Sequence, residues 1–568
     1  MKNLTKRLHG LLLSATVLSA TALMATSVPA AAAPPDPSRY PILDEKQLGS
    51  LNHIVRLLGQ ADDDWNGWMM PADMRGADDH VRYQMGFMSF GLYTAVHNYT
   101  PAYRELGERA SSNMIRKMFN FIAWNDMVPW RSLPYQAKGE TVPYGFFDPT
   151  EDFIMYTGHL YPMLATHQML FNDRHYSQPK SIKFQYPATN GAPADWSGLP
   201  GPVYTYDLAS LTQRIYSNFE KNDWKGVECL PNALFVICNQ QPILGFKMYD
   251  NVHGTDYFTK LSGHYKRVWE EDKLLDDKTK TWAAHYLIGT KDAKWEYATD
   301  KMHAPTYDGW AGLTAHAWNK EPVEKAYAAQ VARDLVTLPD GTATTWLDEK
   351  ETKKSRAEMK SGDPATIYSE GHSLLAAFVA EMGDAATKAK LLNYADKYYS
   401  PKWDGDSYYY PISSTFKRPG DQANVWRRVQ PLAANGTLPT AWLLQKDGLY
   451  NLYNHPFTAK DFEEPYLSNV AYPQVQVPRA VYDERAKALI VTLRPSRSAA
   501  SSEVQSWTFN NLDSKQNWGV WQDGRKIAML QSGVVKPASG VTGFEAQGTA
   551  LKVSMPVRKE TTFIVAQE

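Results

Sequence analysis

The sequence predicts a mainly α-helical protein, an (α/α)6 barrel or toroid, followed by a small antiparallel β-domain. Between Glu45 and about Tyr453, helix-like runs alternate with polar loops, and many runs form pairs in which one member is more apolar than the other. After about Glu464 the pattern changes to short runs in which apolar and polar residues alternate. The chain has 568 residues, which is long enough for one large and one small domain.

Residues 1–33 are predicted to be a secretory signal peptide. Lys2, Lys6 and Arg7 give a positive start, the apolar run from Leu11 to Met24 follows, and small residues precede a cleavage site near Ala32. The apolar run is shorter than the about 20 residues that a membrane-spanning helix needs, and no later run is long enough. We therefore expect a periplasmic or secreted protein with no membrane span after signal cleavage.

The toroid is predicted over residues 34–463 as the catalytic domain. Tyr83–Val96 and Phe153–Phe171 are apolar on nearly all faces, as the inner helices of a double layer are. The other predicted helices are Ser111–Phe121, Leu208–Lys221, Pro242–Asp250, Tyr257–Glu271, Trp310–Asn319, Val323–Val336, Ser369–Met382 and Ala385–Tyr398. Residues 177–203 are rich in Pro, Gly and Ser without periodicity, which predicts a loop insertion over one mouth of the toroid.

Residues 464–568 are predicted to form a β-sandwich-like domain of short antiparallel strands. The segment VQVPRAVYDERAKALIVTLRP alternates apolar and polar residues, and WTFNNL, GVWQDGRKIAML, ALKVSMPV and TTFIVA follow. The turn residues Gln522-Asp523-Gly524-Arg525 predict a tight hairpin. A role in packing on the toroid or shielding it is expected.

The net charge is close to zero, at −1, so no strong field indicates a nucleic acid partner. The 18 Trp, 33 Tyr and 20 Phe residues suit a chamber for apolar ligands, and they equally suit an ordinary large core. The sequence contains no recognisable nucleotide, phosphate or haem motif. No metal and no cofactor is predicted.

The chain has two cysteines, Cys229 and Cys238, nine residues apart on either side of a Pro-Asn turn and an apolar stretch. In a helical turn they would lie close together at the end of an inner helix. Three interpretations are open: a disulfide formed in an oxidising compartment, a metal site completed by His159, or a thiol pair used in acid/base or covalent chemistry. His159 itself lies in an apolar helix, where a histidine is either a satisfied core residue or a functional one.

Three segments together resemble the linalool dehydratase/isomerase family. They are Ile154-Met155-Tyr156-Thr157-Gly158-His159-Leu160, the two-cysteine segment from Cys229 through Asn239, and Tyr249-Asp250 with His253-Gly254-Thr255-Asp256-Tyr257. Weaker matches cover Arg82-Tyr83-Gln84 and Glu381-Met382-Gly383-Asp384. The likeness extends over roughly Gln47 to Tyr410, and the two-cysteine segment is its most specific part.

The resemblance implies an (α/α)6 barrel with a central chamber and a cofactor-free dehydration or allylic isomerisation of a small apolar, unsaturated alcohol. In such a step an acid protonates the departing oxygen, an aromatic cage stabilises a cation-like transition state, and a base removes a proton from the neighbouring carbon. Carried over by resemblance, the catalytic residues are Cys229, Cys238, His159 and Tyr83, and the wall residues that bind substrate are Met155, Phe235, Tyr307 and Trp310. Family members form ring-like homo-oligomers, so a homo-oligomer is an expectation here too.

The chain departs from the family pattern where the family places an aspartate and a tyrosine before the residue that matches Tyr83. The run Asp62-Asp63-Asp64-Trp65 offers a displaced acid, and Asp64 is the predicted one; an acidic surface turn is the alternative. Leu230 follows the first cysteine where the family enzyme carries an acid. Because of these departures, a different alkenol from linalool is expected as the substrate.

Two other functions stay open at this point. The first is a polysaccharide lyase or a glycoside hydrolase on the same toroid, because exported toroids with an added β-domain often act on polysaccharides. Hydrolysis needs a carboxylate pair, and the candidates are Asp62, Asp64, Asp78, Asp308 and Glu370. The second is a non-catalytic small-molecule binder that keeps the chamber and lacks the acid.

Overall fold

The computed structural model describes residues 34–68, 81–125, 147–186, 201–290, 293–298, 303–345, 365–367, 369–416, 425–498 and 503–568. The predicted signal peptide and the candidate Asp78 lie outside the described residues. The α-helices of the described part are, in chain order, α1 Glu45–Leu58, α2 Val81–Tyr99, α3 Glu105–Phe119, α4 Ile154–Phe171, α5 Leu208–Lys221, α6 Val236–His253, α7 Tyr257–Glu271, α8 Ala304–His316, α9 Lys320–Asp334, α10 Glu370–Met382, α11 Ala385–Tyr398, α12 Leu438–Leu443, α13 Gly448–Asn454 and α14 Ala459–Glu463.

The helices from α1 to α12 form two layers. In the inner layer, α2 contacts α4, and the contacts continue from α4 to α6, α8, α10 and α12 until α12 contacts α2 again, so that these helices make a closed cycle. Every residue of α4 is buried, and so are nearly all residues of α8 and α10. Such all-round burial explains why these segments lack a polar face.

The outer layer consists of α1, α3, α5, α7, α9 and α11, which pack on α2, α4, α4, α6, α8 and α10 respectively. Helices α1, α3, α5 and α7 are amphipathic, and most of their charged residues lie on the solvent face. Helix starts are capped where the sequence offers a short polar side chain: Asp44 and Asp207 accept hydrogen bonds from backbone N–H groups in the first turns of α1 and α5. Gly254 and Gly383 end α6 and α10 in the left-handed conformation.

The predicted helices are confirmed with shifted ends. α5, α7 and α11 have the predicted bounds, whereas α6 and α8 begin six residues earlier than predicted. Their first turns contain Cys238 and Pro305, in segments whose bulky and turn-favouring residues masked the helical period. The prediction left out α1, the π-helical turn Leu432–Thr437, and the short helices α12, α13 and α14.

Short strands extend from the helical part. They are β1 Ile182–Gln185, β2 Val203–Tyr206, β3 Glu228–Leu230, β4 Ala233–Phe235, β5 Ala283–Leu287, β6 Trp295–Tyr297, β7 Leu335–Thr337, β8 Ala343–Thr345, β9 Ala365–Ile367, β10 Lys402–Asp404, β11 Ser407–Tyr409, β12 Ser413–Phe416 and β13 Val425–Val429. β1 lies inside the predicted loop insertion 177–203 and pairs with β2, which corrects the expectation of a structureless segment there. Its four residues alternate buried and exposed, a run too short to reveal a period.

The remaining strands form a C-terminal β region, called the β-domain from here on. They are β14 Tyr466–Ser468, β15 Val475–Asp483, β16 Ala488–Pro495, β17 Gln505–Asn510, β18 Trp518–Gln522, β19 Arg525–Gln531, β20 Val534–Pro537, β21 Phe544–Gln547, β22 Ala550–Met555 and β23 Thr561–Gln567. They make one antiparallel sheet of order β15-β16-β23-β18-β19-β20 and a second of order β14-β17-β22-β21. The hairpin at Asp523-Gly524 is confirmed, and both residues have positive φ, as a tight two-residue turn requires.

The β-domain is joined to the helical part by backbone hydrogen bonds. The Ala102 N–H donates to the Ala480 carbonyl over 2.9 Å, and the Leu467 N–H donates to the Ala102 carbonyl over 2.7 Å. Ala102 and Tyr103 therefore belong to the apolar core of the β-domain rather than to that of the helices. No helix in the described part of the chain combines the length and the apolar run that crossing a membrane requires.

Candidate active site

The predicted site residues lie near the N-terminal ends of successive inner helices. Tyr83, Met155 and Cys238 lie in the first turns of α2, α4 and α6, while His159 and Trp310 lie in the second turns of α4 and α8. Because these helices contact one another in this order, the cycle brings residues together that are more than 200 positions apart in the chain. All of them are buried.

The two cysteine sulfur atoms, Cys229 Sγ and Cys238 Sγ, lie 2.8 Å apart. Both cysteines are free and buried in the structure. Cys229 lies on β3 and not in the helical turn that the sequence suggested. β3 and β4 form a hairpin around Pro231-Asn232, in which Asn232 has the left-handed φ of 60°.

Asn239 fixes this hairpin against α6. Its side-chain oxygen accepts a hydrogen bond from the Val227 N–H over 2.8 Å, and its amide group donates to the carbonyls of Val227 and Phe235 over 3.0 and 2.9 Å. These hydrogen bonds hold Val227, two residues before Cys229, against the helix that carries Cys238. Asn239 is the last residue of the two-cysteine segment, but no role was predicted for it from the sequence.

Around the thiols lies a cluster of rings from three helices. The centroid of the Tyr83 ring is 5.2 Å from that of His159 and 5.5 Å from that of Trp310, both in edge-to-face arrangements. His159 and Trp310 are 5.8 Å apart, and Phe87 packs on Trp310 at 5.0 Å. The Tyr83 hydroxyl donates to the Met155 sulfur over 3.3 Å. Phe87 was not predicted from the sequence. It lies one helical turn after Tyr83 and therefore on the same face of α2, and this spacing would have identified it.

His159 is neutral at ordinary pH. Burial, followed by the positive charge of Arg82, lowers the pKa of His159 to about 3. The ring packs directly on the backbone of α2: a Cβ atom built on Gly86 would lie 2.1 Å from His159 Nδ1, so only glycine fits at this position. The imidazole is therefore available as a proton acceptor rather than as a proton donor.

Tyr83 stays protonated for the same reason. Burial raises the pKa of Tyr83 well above its usual value, the charge of Arg82 opposes this shift, and the two cysteines add to it. The Arg82 guanidinium is fully buried, lies 4.7 Å from the centre of the Tyr83 ring, and points one nitrogen at the Met155 sulfur over 3.5 Å. A protonated phenol and a neutral imidazole thus face the same space.

Two polar atoms of the cluster have no hydrogen-bond partner within the described residues: His159 Nε2 and Trp310 Nε1. A buried polar atom without a partner costs about 1–3 kcal/mol, so such atoms call for an explanation. A hydroxyl group can accept a hydrogen bond from an indole N–H and donate one to a neutral imidazole nitrogen, so it suits either atom.

The other predicted residues lie at the border of this cluster or away from it. Phe235 is half-buried and packs on His285, with ring centroids 5.6 Å apart. Tyr307 is half-buried in the first turn of α8. Asp64 lies in the loop after α1, where its carboxylate accepts a hydrogen bond from the Asn66 N–H over 3.0 Å. Within the described residues, no hydrogen bond or ion pair joins Asp64 to the aromatic cluster, and its catalytic role stays a prediction.

The carboxylates considered for carbohydrate chemistry have structural partners. Asp62 pairs with Arg116 over 3.4 Å on the surface. Asp308 is fully buried, forms an ion pair with Arg333, and accepts a hydrogen bond from the Trp282 N–H over 3.2 Å. Glu370 is buried at the start of α10, with one oxygen 3.5 Å from the Gln430 amide nitrogen.

The fold and these side chains define a mainly helical protein with a C-terminal β region and a buried site that combines two thiols, an imidazole and a phenol. Residues 82–416, more than half of the chain, match the family described as linalool dehydratase/isomerase. The chain therefore belongs to the linalool dehydratase/isomerase family. This confirms the resemblance carried by the two-cysteine segment.

Similar solved structures have low sequence identity. An unsaturated glucuronyl hydrolase specific for heparin is 8% identical, with 72% of this chain and 98% of that chain covered and a TM-score of 0.40. The α-1,6-mannanase of Salegentibacter sp. HEL1_6 is 10% identical, with 72% and 99% covered and a TM-score of 0.35. A β-L-arabinofuranosidase from Geobacillus stearothermophilus T6 is 9% identical, with 92% and 76% covered and a TM-score of 0.30. Similarity at this level does not define the activity of this chain.

Proposed function

We propose that the chain is an exported, cofactor-free hydro-lyase or isomerase that acts on an unsaturated, terpenoid-like alcohol. The observation that carries this proposal is the pair of unsatisfied polar atoms, His159 Nε2 and Trp310 Nε1, beside two contacting thiols within the part of the chain that matches the family. A small alcohol supplies the hydroxyl that these atoms lack, and the surrounding rings suit its apolar remainder.

The scaffold of this proposal is an (α/α)6 barrel. The closed cycle of α2, α4, α6, α8, α10 and α12 is its inner ring, and α1, α3, α5, α7, α9 and α11 are its outer ring. The proposed chamber lies at the N-terminal ends of the inner helices, where Tyr83, Met155 and Cys238 occupy first turns. The β-domain takes no part in the proposed chemistry.

In the proposed reaction, one thiol of the pair Cys229/Cys238 donates its proton to the alcohol oxygen. The C–O bond breaks, water leaves, and the positive charge that develops on the allylic carbons faces the rings of Tyr83, Phe87 and Trp310. His159 Nε2 then accepts a proton from the neighbouring carbon as the new C=C bond forms. That proton returns to the thiolate, which restores the starting state. In the isomerisation, water instead adds to the far end of the allylic system.

The low basicity of His159 suits this role. A neutral imidazole is required as the acceptor, and a pKa of about 3 keeps it neutral over the whole physiological range. A weak base suffices because a C–H bond next to an allylic cation is strongly acidic. The Tyr83 hydroxyl, protonated throughout, orients the departing oxygen.

The test is an assay of the mature protein under argon with a reductant. A panel of allylic and tertiary alkenols, with linalool among them, is incubated, and the headspace is analysed by gas chromatography and mass spectrometry for dienes and isomeric alcohols. We expect at least one alkenol to be converted. Cys229→Ser and Cys238→Ser should each lower turnover by about 100-fold or more, the usual scale for loss of a positioned acid or base.

Tyr83→Phe and Tyr93→Phe form a matched pair on the same helix. The Tyr83 hydroxyl contacts the Met155 sulfur in the proposed chamber, whereas the Tyr93 hydroxyl hydrogen-bonds to Ser111. Turnover should fall for Tyr83→Phe only. Conversion that survives loss of both thiols, or cleavage of oligosaccharides with no conversion of any alkenol, would contradict the proposal; binding of alkenols without conversion identifies a non-catalytic binder instead.

A further inference from the structure

A cavity of about 240 Å³ lies between the helical part and β15, far from the proposed chamber. Its lining includes His97 near the end of α2, Arg104 just before α3, Phe457, Glu464 and, from the β-domain, Tyr482. Tyr83 and His97 are separated by about 20 Å along α2, given a rise of about 1.5 Å per residue. The cavity therefore forms no part of the site described above.

Two opposite charges line this cavity without pairing. The Arg104 guanidinium is held by the carbonyls of Pro101 and Asp461, at 2.8 and 3.3 Å, and lies 4.8 Å from the centre of the Phe462 ring. Within the described residues it forms no ion pair shorter than 4 Å. The Glu464 carboxylate has neither an ion pair nor a hydrogen bond in the described part of the chain.

The nearby carboxylate of Asp461 is not available, because it accepts hydrogen bonds from the N–H and the hydroxyl of Thr458, both over 2.7 Å. Burial raises the pKa of Glu464 and the negative charge of Asp461 adds to the shift, whereas the positive charges of Lys460 and Arg104 oppose it. A cation placed beside Glu464 relieves both effects. An anion placed beside Arg104 gains charge-assisted hydrogen bonds of the fork type that guanidinium favours.

The other side chains that line the cavity include several rings. The His97 ring stacks on Phe457 with centroids 5.2 Å apart. Both His97 ring nitrogens are engaged, at 2.8 Å from the Asn98 side-chain oxygen and 2.8 Å from the His455 carbonyl. The cavity is smaller than the about 300–1,000 Å³ of sites for drug-sized molecules, so its ligand is small.

We propose that this cavity binds a free amino acid as a zwitterion, with the ligand carboxylate on Arg104, the ligand ammonium on Glu464, and the ligand side chain against Phe457 and Tyr482. A simple anion leaves Glu464 unsatisfied and a simple amine leaves Arg104 unsatisfied, whereas a zwitterion satisfies both at no cost in net charge. The inference goes beyond the proposed function and does not depend on it.

The first test uses the full mature chain and changes only the ligand. The twenty amino acids are screened by thermal shift, and the strongest is titrated by calorimetry beside its N-acetyl derivative and the amine that lacks its carboxylate. Each altered ligand should bind at least about 10-fold more weakly, since each loses one charged partner. If no amino acid binds, or if an altered ligand binds as well as the parent, the proposal is wrong.

The second test uses Arg104→Gln and Glu464→Gln, with Glu463→Gln as the matched control, because Glu463 is an exposed neighbour outside the cavity. Affinity for the amino acid should fall at least about 10-fold in the first two variants and stay unchanged in the third. Arg104 also holds two carbonyls, so if Arg104→Gln fails to fold, Glu464→Gln and the ligand series decide. Cys229→Ser should bind the amino acid normally, which separates this site from the proposed chamber. Unchanged affinity in Glu464→Gln overturns the proposal.

Discussion

Gly86 determines where the imidazole of His159 lies. The ring rests on the α2 backbone so closely that a Cβ at position 86 would lie 2.1 Å from His159 Nδ1. No rotation of the ring relieves such a contact, because Tyr83 and Trp310 pack against its other sides. The position of the proposed proton acceptor is thus encoded by the absence of a side chain on a neighbouring helix.

Gly86→Ala should displace His159, lower turnover at least about 10-fold, and cost about 1–3 kcal/mol of stability through overpacking. Gly263→Ala is the control: Gly263 lies within α7, and a Cβ there meets nothing within 4 Å. The control should gain about 0.5–1 kcal/mol, since alanine favours helix over glycine. Thermal unfolding and the alkenol assay measure both effects; a Gly86→Ala protein with normal stability would contradict the packing described.

The lowered pKa of His159 makes the protein sensitive to acid. The unfolded chain binds a proton at His159 below about pH 6.5, whereas the folded protein does so only near pH 3. Acidification from pH 7 to pH 5 therefore favours the unfolded state by about 2 kcal/mol through this group. His159→Gln should lose about 2 kcal/mol less than the wild type over this range, as measured by denaturant unfolding at both pH values.

His53, whose pKa burial also lowers, to about 4, contributes equally to the wild type and to His159→Gln and cancels in the comparison. An acid response of His159→Gln equal to that of the wild type would show that the imidazole is not held neutral by its surroundings.

At the scale of elements, the hairpin β3–β4 and the start of α6 act as one unit. The hairpin carries Cys229, the helix carries Cys238, and Asn239 ties the two by three hydrogen bonds. The contact between the thiols at 2.8 Å depends on this tie, because neither cysteine has a covalent link to the other.

Asn239→Ala should separate the thiols. It leaves the buried N–H and carbonyl of Val227 without their partner, at a cost of about 2–4 kcal/mol for two such groups. We expect a lower melting temperature, lower turnover, and faster labelling of the cysteines by a thiol reagent. Asn251→Ala, an exposed substitution on the same helix, should change none of these. If the cysteines of Asn239→Ala are labelled slowly and its turnover is normal, a group other than Asn239 holds the hairpin against α6.

The elements also show what sequence reasoning found and what it could not. Long apolar runs such as Phe153–Phe171 reveal buried helices directly, because a segment buried all round has no polar face to interrupt it. Strand β3 has three residues, too few for a period, so Cys229 was expected in a helical turn.

The segment Glu381-Met382-Gly383-Asp384, which matches the family only weakly, has a structural role. Glu381 accepts hydrogen bonds from the first N–H groups of α13, Gly383 ends α10, and Asp384 caps α11.

At the scale of the whole molecule, the segment just after the predicted signal peptide is anchored on the β-domain. The Tyr40 hydroxyl donates to the Asp483 carboxylate over 2.5 Å, and Arg479 donates to the carbonyls of Pro37 and Tyr40 over 2.5 and 3.2 Å. No pattern in the sequence indicates such a contact, since it joins residues about 440 positions apart. The change from a helical to a strand pattern near Glu464 could be read from the sequence; the hydrogen bonds that join the N-terminal segment to the β-domain could not.

Arg479→Met should release this segment. The methionine keeps much of the apolar length of arginine but removes the donors that hold Pro37 and Tyr40. Limited trypsin digestion, followed by mass spectrometry, should then show faster cleavage after Arg39. Arg494→Met is the control, because Arg494, on strand β16, pairs with Glu560 just before strand β23 and does not contact the segment that holds Tyr40 in the described part of the chain. Equal cleavage rates in the two variants would contradict the anchoring role of Arg479.

The contact between Tyr40 and Asp483 can form only late in the synthesis of the chain. The two partners are 443 residues apart, and ribosomes add about 5–20 residues per second, so Tyr40 exists for about 20–90 s before Asp483 is made. Strand β23, which lies in the middle of its sheet, is made later still. During that interval the earliest segment has no native neighbour. The segment around Tyr40 must therefore stay unfolded, or be bound by another molecule, until β15 and the later strands have been made.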